Sequence, residues 1–112
     1  MKIIIIGCGK VGSALAEELT MENHEVAIVD ISAQKLQEVG EDLDALQIHG
    51  TGSSINVLMD AGVISADLVI AVTGSDELNL LCCLVAKNLG KCHTVARVRN
   101  PIYNKEINLM KE

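Results

Sequence analysis

Lys2-Ile3-Ile4-Ile5-Ile6-Gly7-Cys8-Gly9-Lys10-Val11-Gly12 opens the chain, and its reading decides the fold. An apolar run of the length of one buried strand leads straight into three glycines at G-x-G-x-x-G spacing, and an amphipathic helical pattern follows. A second apolar run then closes on Asp30, an acid about 20 residues past the glycine turn. The glycine spacing alone recurs by chance. Placed between a strand and a helix, with the acid downstream, it is a dinucleotide-binding fingerprint. Gly7 is expected to make the tight turn, Gly9 to let the backbone approach a pyrophosphate, and Gly12 to allow close packing of helix on strand. The pyrophosphate is expected at the N-terminus of the first helix, where unpaired N–H groups and the helix dipole favour an anion; Lys10 and Val11 contribute backbone there more than side chain. Asp30 can accept hydrogen bonds from an adenosine ribose. It would repel a 2′-phosphate, and Ile31 and Ser32 supply no cation to hold one, so NAD is favoured over NADP. Ser32 is available to cap the following helix, which leaves Asp30 free for this role.

Outward from this segment, hydrophobic periodicity predicts strands near 2–6, 25–30, 44–48, 67–72 and 93–98. A helix is expected over Lys10 to about Met21, with Val11, Ala14, Leu15 and Leu19 on its buried face. A second runs from the cap Ser32 to about Val39, and a third follows Ser53 and Ser54 and stops at Gly62. The clearest spans Asp76 to Leu89, with Leu78, Leu81, Cys82, Val85 and Leu89 as its stripe and Gly90 as its stop; Pro101 opens a fifth. Strands apolar throughout and alternating with helices imply a parallel sheet covered on both faces. The expected fold is α/β, a Rossmann-like doubly wound sheet of strand order 3-2-1-4-5, with its crevice at the carboxyl ends of strands one and four. The sixth strand of that fold is missing from this chain. Its place is expected to be filled from beyond Glu112 or by a partner, because strand five would otherwise be an exposed apolar edge. A dimer or a truncated chain is therefore expected.

Bulk properties narrow the function. At 112 residues the chain fits one domain over 1–112, without room for a separate substrate domain. No apolar run approaches the roughly 18 residues of a membrane span, and the N-terminal run is too short for a signal peptide. Cys8, Cys82, Cys83 and Cys92 form no C-x-x-C pair and no matched His spacing, so they read as buried thiols of a reducing cytosol. A net charge of −6, with one Tyr and no Trp or Phe, argues against nucleic acid: there is neither a basic stripe for phosphates nor a platform for stacking bases.

The later strand ends add to the crevice. Gly50-Thr51-Gly52 and Thr73-Gly74-Ser75-Asp76 are small, polar loops suited to an adenine edge and a second ribose. Arg97, near the end of strand five, can reach diphosphate oxygens in a charge-assisted pair, whereas Arg99 faces away by strand alternation. Asp76, Glu77 and Asn79 are read as caps of the fourth helix. His24 is read as solvated, His49 lies beside the crevice, and His93 starts a strand; none has a partner at catalytic spacing.

Three segments carry a family resemblance: Lys2 to Gly12, Val72-Thr73-Gly74-Ser75-Asp76-Glu77-Leu78-Asn79, and Ala96-Arg97-Val98-Arg99-Asn100-Pro101-Ile102-Tyr103. Along its whole length the chain resembles the TrkA N-terminal domain, also called KTN or RCK N-lobe, of potassium transport regulatory proteins. The resemblance implies a cytoplasmic regulator, peripheral at the inner face of the membrane, whose homo-oligomers dock on a potassium-translocating membrane protein and change shape with bound nucleotide. Family members bind NAD or NADH, and some bind ATP or ADP. Carried over, the family's contacts fall on Gly7, Cys8, Gly9, Lys10, Val11, Asp30, Thr51, Gly52, Thr73 and Arg97. Cys8 occupies a position often Ala or Gly, and Thr51 one often Asp or His, which bears on the adenine contact. The family's C-terminal lobe is absent, so a longer protein is expected. The competing expectation is the cofactor domain of a small NAD-dependent oxidoreductase. It would need a proton donor and substrate pocket beside the nicotinamide, and the sequence places none, so a regulator without catalysis is the reading.

Overall fold

In the computed structural model, which describes residues 1–40 and 43–110, five strands form one parallel sheet: β1 (Lys2–Ile6), β2 (Glu25–Asp30), β3 (Leu46–His49), β4 (Leu68–Ala71) and β5 (His93–Ala96). Their order is β3-β2-β1-β4-β5, as expected. The isoleucine run explains why β1 is central. Ile4 and Ile6 point into one core with Val29, Leu58, Val69, Ala71 and Cys82, while Ile3 and Ile5 point into the other with Ala16, Val26, Ile28 and Leu36. A strand buried on both faces reads as continuous apolar sequence. All four isoleucines are at most 2% exposed.

Helices α1 (Lys10–Met21) and α2 (Ala33–Val39) cover one face, and α3 (Ile55–Asp60) and α4 (Asp76–Leu89) the other. Ser32, Ser54 and Ser75 cap the last three of these, each hydroxyl accepting from the backbone N–H three residues on. A 3₁₀ turn at Pro101–Tyr103 leads into α5 (Asn104–Met110).

The structure changes several expectations. On α1, Val11 and Ala14 are exposed and Gly12 and Ala16 are buried, because the helix rolls until Gly12 lies on the Gly7 carbonyl. On α4, Leu81 is exposed, and the buried stripe is Asn79, Cys82, Cys83 and Ala86, which are small residues that bring the helix close to the sheet. Strand β3 starts two residues later than expected, after a tight turn in which the Ala45 N–H donates to the Leu43 carbonyl at 2.8 Å. Strand β5 ends at Ala96; the Arg97 N–H still donates to the Ala71 carbonyl at 2.9 Å, and residues 98–100 leave the ladder. His93 and Val95 on this edge strand are exposed.

Candidate functional site

The carboxyl ends of the strands open on a cleft of about 600 Å³, where a doubly wound sheet places its ligands. Its floor is the glycine turn. Gly7 has φ +104°, and a Cβ there would lie 3.0 Å from backbone atoms of Val72 and Thr73. At Gly12 a Cβ would stand 1.7 Å from the Gly7 carbonyl oxygen, so the α1–β1 contact admits only glycine. Gly9 differs: a Cβ there would meet no protein atom within 4 Å. It is the N-cap of α1 and has no side chain to accept from the first turn, so the helix's unpaired N–H groups face the cleft.

Asp30 anchors this turn from the tip of β2. Its Oδ2 accepts from the Cys8 N–H at 2.8 Å and its Oδ1 from the Ser32 N–H at 2.8 Å. Partial burial pushes the carboxyl up, but those two N–H groups, the Cys8 thiol and the Lys35 ammonium outweigh it and hold it below the usual carboxylate range. Asp30 is therefore ionised at neutral pH. A carboxylate oxygen has more than one lone pair, so each can accept a further bond from a ligand hydroxyl. The Cys8 thiol is pushed up to about 12, by burial first and then by Asp30, which leaves it protonated.

The opposite wall comes from the exits of β4 and β5. Thr73 hydrogen-bonds through its backbone and hydroxyl to Asn79. Arg97 donates from Nη2 to the carbonyls of Val72 and Thr73 at 3.0 and 2.7 Å. The Asp76 carboxylate accepts from the N–H groups of Arg99 and Asn100. Of the expected contacts, Gly7, Gly9, Lys10, Val11, Asp30, Gly52, Thr73 and Arg97 line the cleft. Cys8, Gly12 and Thr51 stand outside the lining. Cys8 offers its N–H to Asp30, Gly12 packs on Gly7, and the Thr51 hydroxyl pairs with Ser53 Oγ at 3.0 Å.

Lys35, Arg99 and Leu78 also line the cleft; sequence reading passed over Lys35, turned Arg99 away and placed Leu78 on the buried stripe of the fourth helix. Residues two apart in an extended segment point to the same side, so alternation places Arg99 with Arg97 and not away from it, and both line the cleft. Lys35, in the first turn of α2, supplies a cation near Asp30 that Ile31 and Ser32 lack. Asn79 is not a cap: Ser75 holds that place, and Asn79 is buried beneath the β4 exit. His49 ties β3 to the loop after β2 through the Ile31 carbonyl at 2.9 Å, and His24 meets the N-terminal amine at 3.0 Å.

A larger hollow of about 760 Å³ lies between α1 and α2 and shares Gly9, Lys10 and Lys35 with the cleft. It carries Glu17, Glu38 and Asp44 and no strand ends, and only the smaller cleft gathers the glycine turn, Asp30 and the arginines. Lys10, Lys35, Arg97 and Arg99 line the cleft with Asp30, and the Asp76 carboxylate stands behind the two arginines, so a chain of net charge −6 presents a cleft with more cations than carboxylates. The arrangement suits an anionic ligand with a hydroxyl-bearing end directed at Asp30. Among the described residues, no His, Tyr or Cys lines it, and no helix is long and apolar enough to cross a membrane.

Comparison with known proteins gives this geometry a lineage. The Trk system potassium uptake protein TrkA of Haemophilus influenzae is 44% identical over 107 residues, covering 95% of this chain and 23% of that protein. The TrkA-N domain of the inner membrane protein ybaL from Escherichia coli superposes with a TM-score of 0.87 at 16% identity, over 97% of this chain and 81% of that one. The GsuK channel, solved bound to NAD, superposes with a TM-score of 0.83 at 24% identity over 97% of this chain and 20% of that one; GsuK has also been solved bound to ADP. The chain thus spans about a quarter of the length of its TrkA relative. The TrkA-N domain family profile matches residues 3–111, and the chain belongs to the TrkA-N domain family.

Proposed function

We propose that this chain is a nucleotide-binding regulatory domain of a potassium uptake system, responding to NAD or NADH, or to ATP or ADP, and passing that response to a potassium-translocating membrane partner. The observation that carries the reading is the cleft itself: four cationic side chains and one anchored carboxylate meet around a glycine that no protein atom requires. In this reading the first turn of α1 and the guanidinium of Arg97 hold the phosphates. The unpaired N–H groups and the helix dipole supply a partial positive charge, and the guanidinium adds a full one. Asp30 accepts from the adenosine ribose. Lys35 is exposed and screened by solvent, so it offsets only part of the repulsion between Asp30 and a 2′-phosphate, and NAD is favoured over NADP.

Kinship with TrkA and the cleft's lack of His, Tyr or Cys both support regulation over hydride transfer. A bound nucleotide changes the chain's partners only through different affinity for two arrangements of an oligomer, so the reading includes a homo-oligomer. It also places the chain in the cytoplasm, at the inner face of the membrane through its partner. The test is calorimetric titration with NAD, NADH, ATP, ADP and NADP, with the assembly state measured by sedimentation before and after each ligand. Binding without turnover, NAD tighter than NADP, and a ligand-dependent assembly are expected. Absence of binding by all five would overturn the reading.

A further inference from the structure

We infer that the first turns of α4 position the two arginines of the cleft, with Asn79 fixing Arg97 and Asp76 fixing Arg99. The inference rests on the nucleotide reading of the cleft and adds to it the residues that set its cationic wall.

Among the described residues Asn79 is the single polar side chain that is buried, at 0% exposure. Its amide is fully used. Oδ1 accepts from the Thr73 N–H at 2.8 Å and from the Thr73 hydroxyl at 2.6 Å, and Nδ2 donates to the Arg97 carbonyl at 2.9 Å and the Thr73 carbonyl at 3.2 Å. Arg97 Nη2 donates to the same Thr73 carbonyl and to that of Val72. The knot is closed: Asn79 holds the backbone of Arg97 at one end and the carbonyl on which its guanidinium rests at the other. The remaining donors of the guanidinium are not spent on these carbonyls.

The Arg97 N–H still donates to the Ala71 carbonyl of β4 at 2.9 Å; past Arg97 the sheet no longer holds the chain, and α4 takes over. Asp76 Oδ1 accepts from the Arg99 N–H at 3.1 Å and Oδ2 from the Asn100 N–H at 2.9 Å. One helix end thus grips both sides of a segment that carries two guanidinium groups into the cleft. Arginine side chains are long and lose much rotamer freedom when fixed; fixing their backbone reduces what a phosphate ligand must order.

The experiment measures the affinities of ADP, NAD and adenosine for the purified protein and for Asp76→Asn and Asn79→Ser, alone and combined with Arg99→Ala and Arg97→Ala respectively. Asp76→Asn discriminates sharply, because removing a negative charge near the phosphates would by plain electrostatics tighten ADP. Positioning predicts the opposite sign, with ADP and NAD weakened roughly tenfold, the scale of one hydrogen bond to a charged group, and adenosine unchanged. Asn79→Ser is expected to act in the same direction, and each effect should vanish when its arginine is already Ala. ADP bound equally or more tightly by Asp76→Asn, equal losses for ADP and adenosine, or additivity with the arginine changes overturns the inference. If Asn79→Ser does not fold, the partly exposed Asp76→Asn decides alone. Failure of the unmodified protein to bind ADP and NAD overturns the nucleotide reading and this inference together, whereas normal binding with unmoved ligand ratios overturns only the inference.

Discussion

Gly9 and Gly12 sit three residues apart in one motif, yet replacing each by Ala should fail in a different way. At position 12 the new Cβ starts 1.7 Å from the Gly7 carbonyl oxygen, and real Cβ atoms essentially never approach closer than 3.0 Å, so at least 1.3 Å of separation must be created between two backbones. Forced overpacking costs about 1–3 kcal/mol, and here the obstacle is main chain and cannot swing aside as a side chain would. Alanine returns about 0.5–1 kcal/mol through its higher helix propensity. The net expectation for Gly12→Ala is a loss of about 2 kcal/mol, or a melting temperature lower by roughly 10 °C for a domain of this size. At position 9 the added Cβ meets nothing of the protein within 4 Å. Gly9→Ala should therefore cost at most ~1 kcal/mol, from the poorer N-cap, while weakening ADP and NAD more than tenfold because the Cβ occupies the pyrophosphate's line of approach. Thermal denaturation and calorimetric titration of both variants decide the matter. A Gly12→Ala protein that melts at or above the parent temperature would refute the packing argument, and a Gly9→Ala protein that binds ADP normally would refute the placement of the phosphates.

Ile4 is fully buried in the core shared with α3 and α4, so Ile4→Ala should lower the urea-unfolding free energy by about 2–5 kcal/mol. Arg97→Ala should weaken ADP and NAD by ~1.5–3 kcal/mol and leave adenosine unchanged; an equal loss for adenosine would contradict a phosphate contact. The Asp30 carboxyl lies below its ordinary range in the folded chain, so the stability it contributes is present above the unfolded value of about 3.9 and is lost as pH falls through the folded value. The melting temperature of the parent should accordingly exceed that of Asp30→Asn at pH 6, and the gap should close below about pH 4; a gap that widens in acid would refute the anchoring role. Burial pushes Cys82 up to about 12 and Cys83 up to about 11, so an exposed-thiol reagent at pH 8 should label them only after denaturant is added.

Much of this was legible in the residue order, for local reasons. A strand buried on both faces must be apolar at every position, and a turn that sets the start of α1 against the Gly7 carbonyl must carry glycine. Ile3 to Ile6 and the turn through Gly12 therefore declare themselves, as does Asp30 at the next strand end. The misreadings have different causes. Alternation returns to the same side every second residue, so turning Arg99 away from Arg97 misapplied it; past the end of β5 at Ala96 it is Asp76 that holds the Arg99 backbone. Apolar periodicity buried Leu81 and Val11, whereas the helices roll toward their small residues, Gly12 on α1 and Cys82, Cys83 and Ala86 on α4.

The sequence by itself determined the glycine turn and the acid at the tip of β2, which rest on residues adjacent in the chain, and the parallel sheet and its order, which follow from strands alternating with helices after a dinucleotide fingerprint. Only the tertiary structure decided what Asn79 does, that Lys35 and Arg99 face the cleft, and that an acidic chain presents a cationic site. Those properties come from strand exits and helix ends that are far apart in sequence and meet only when the sheet has assembled.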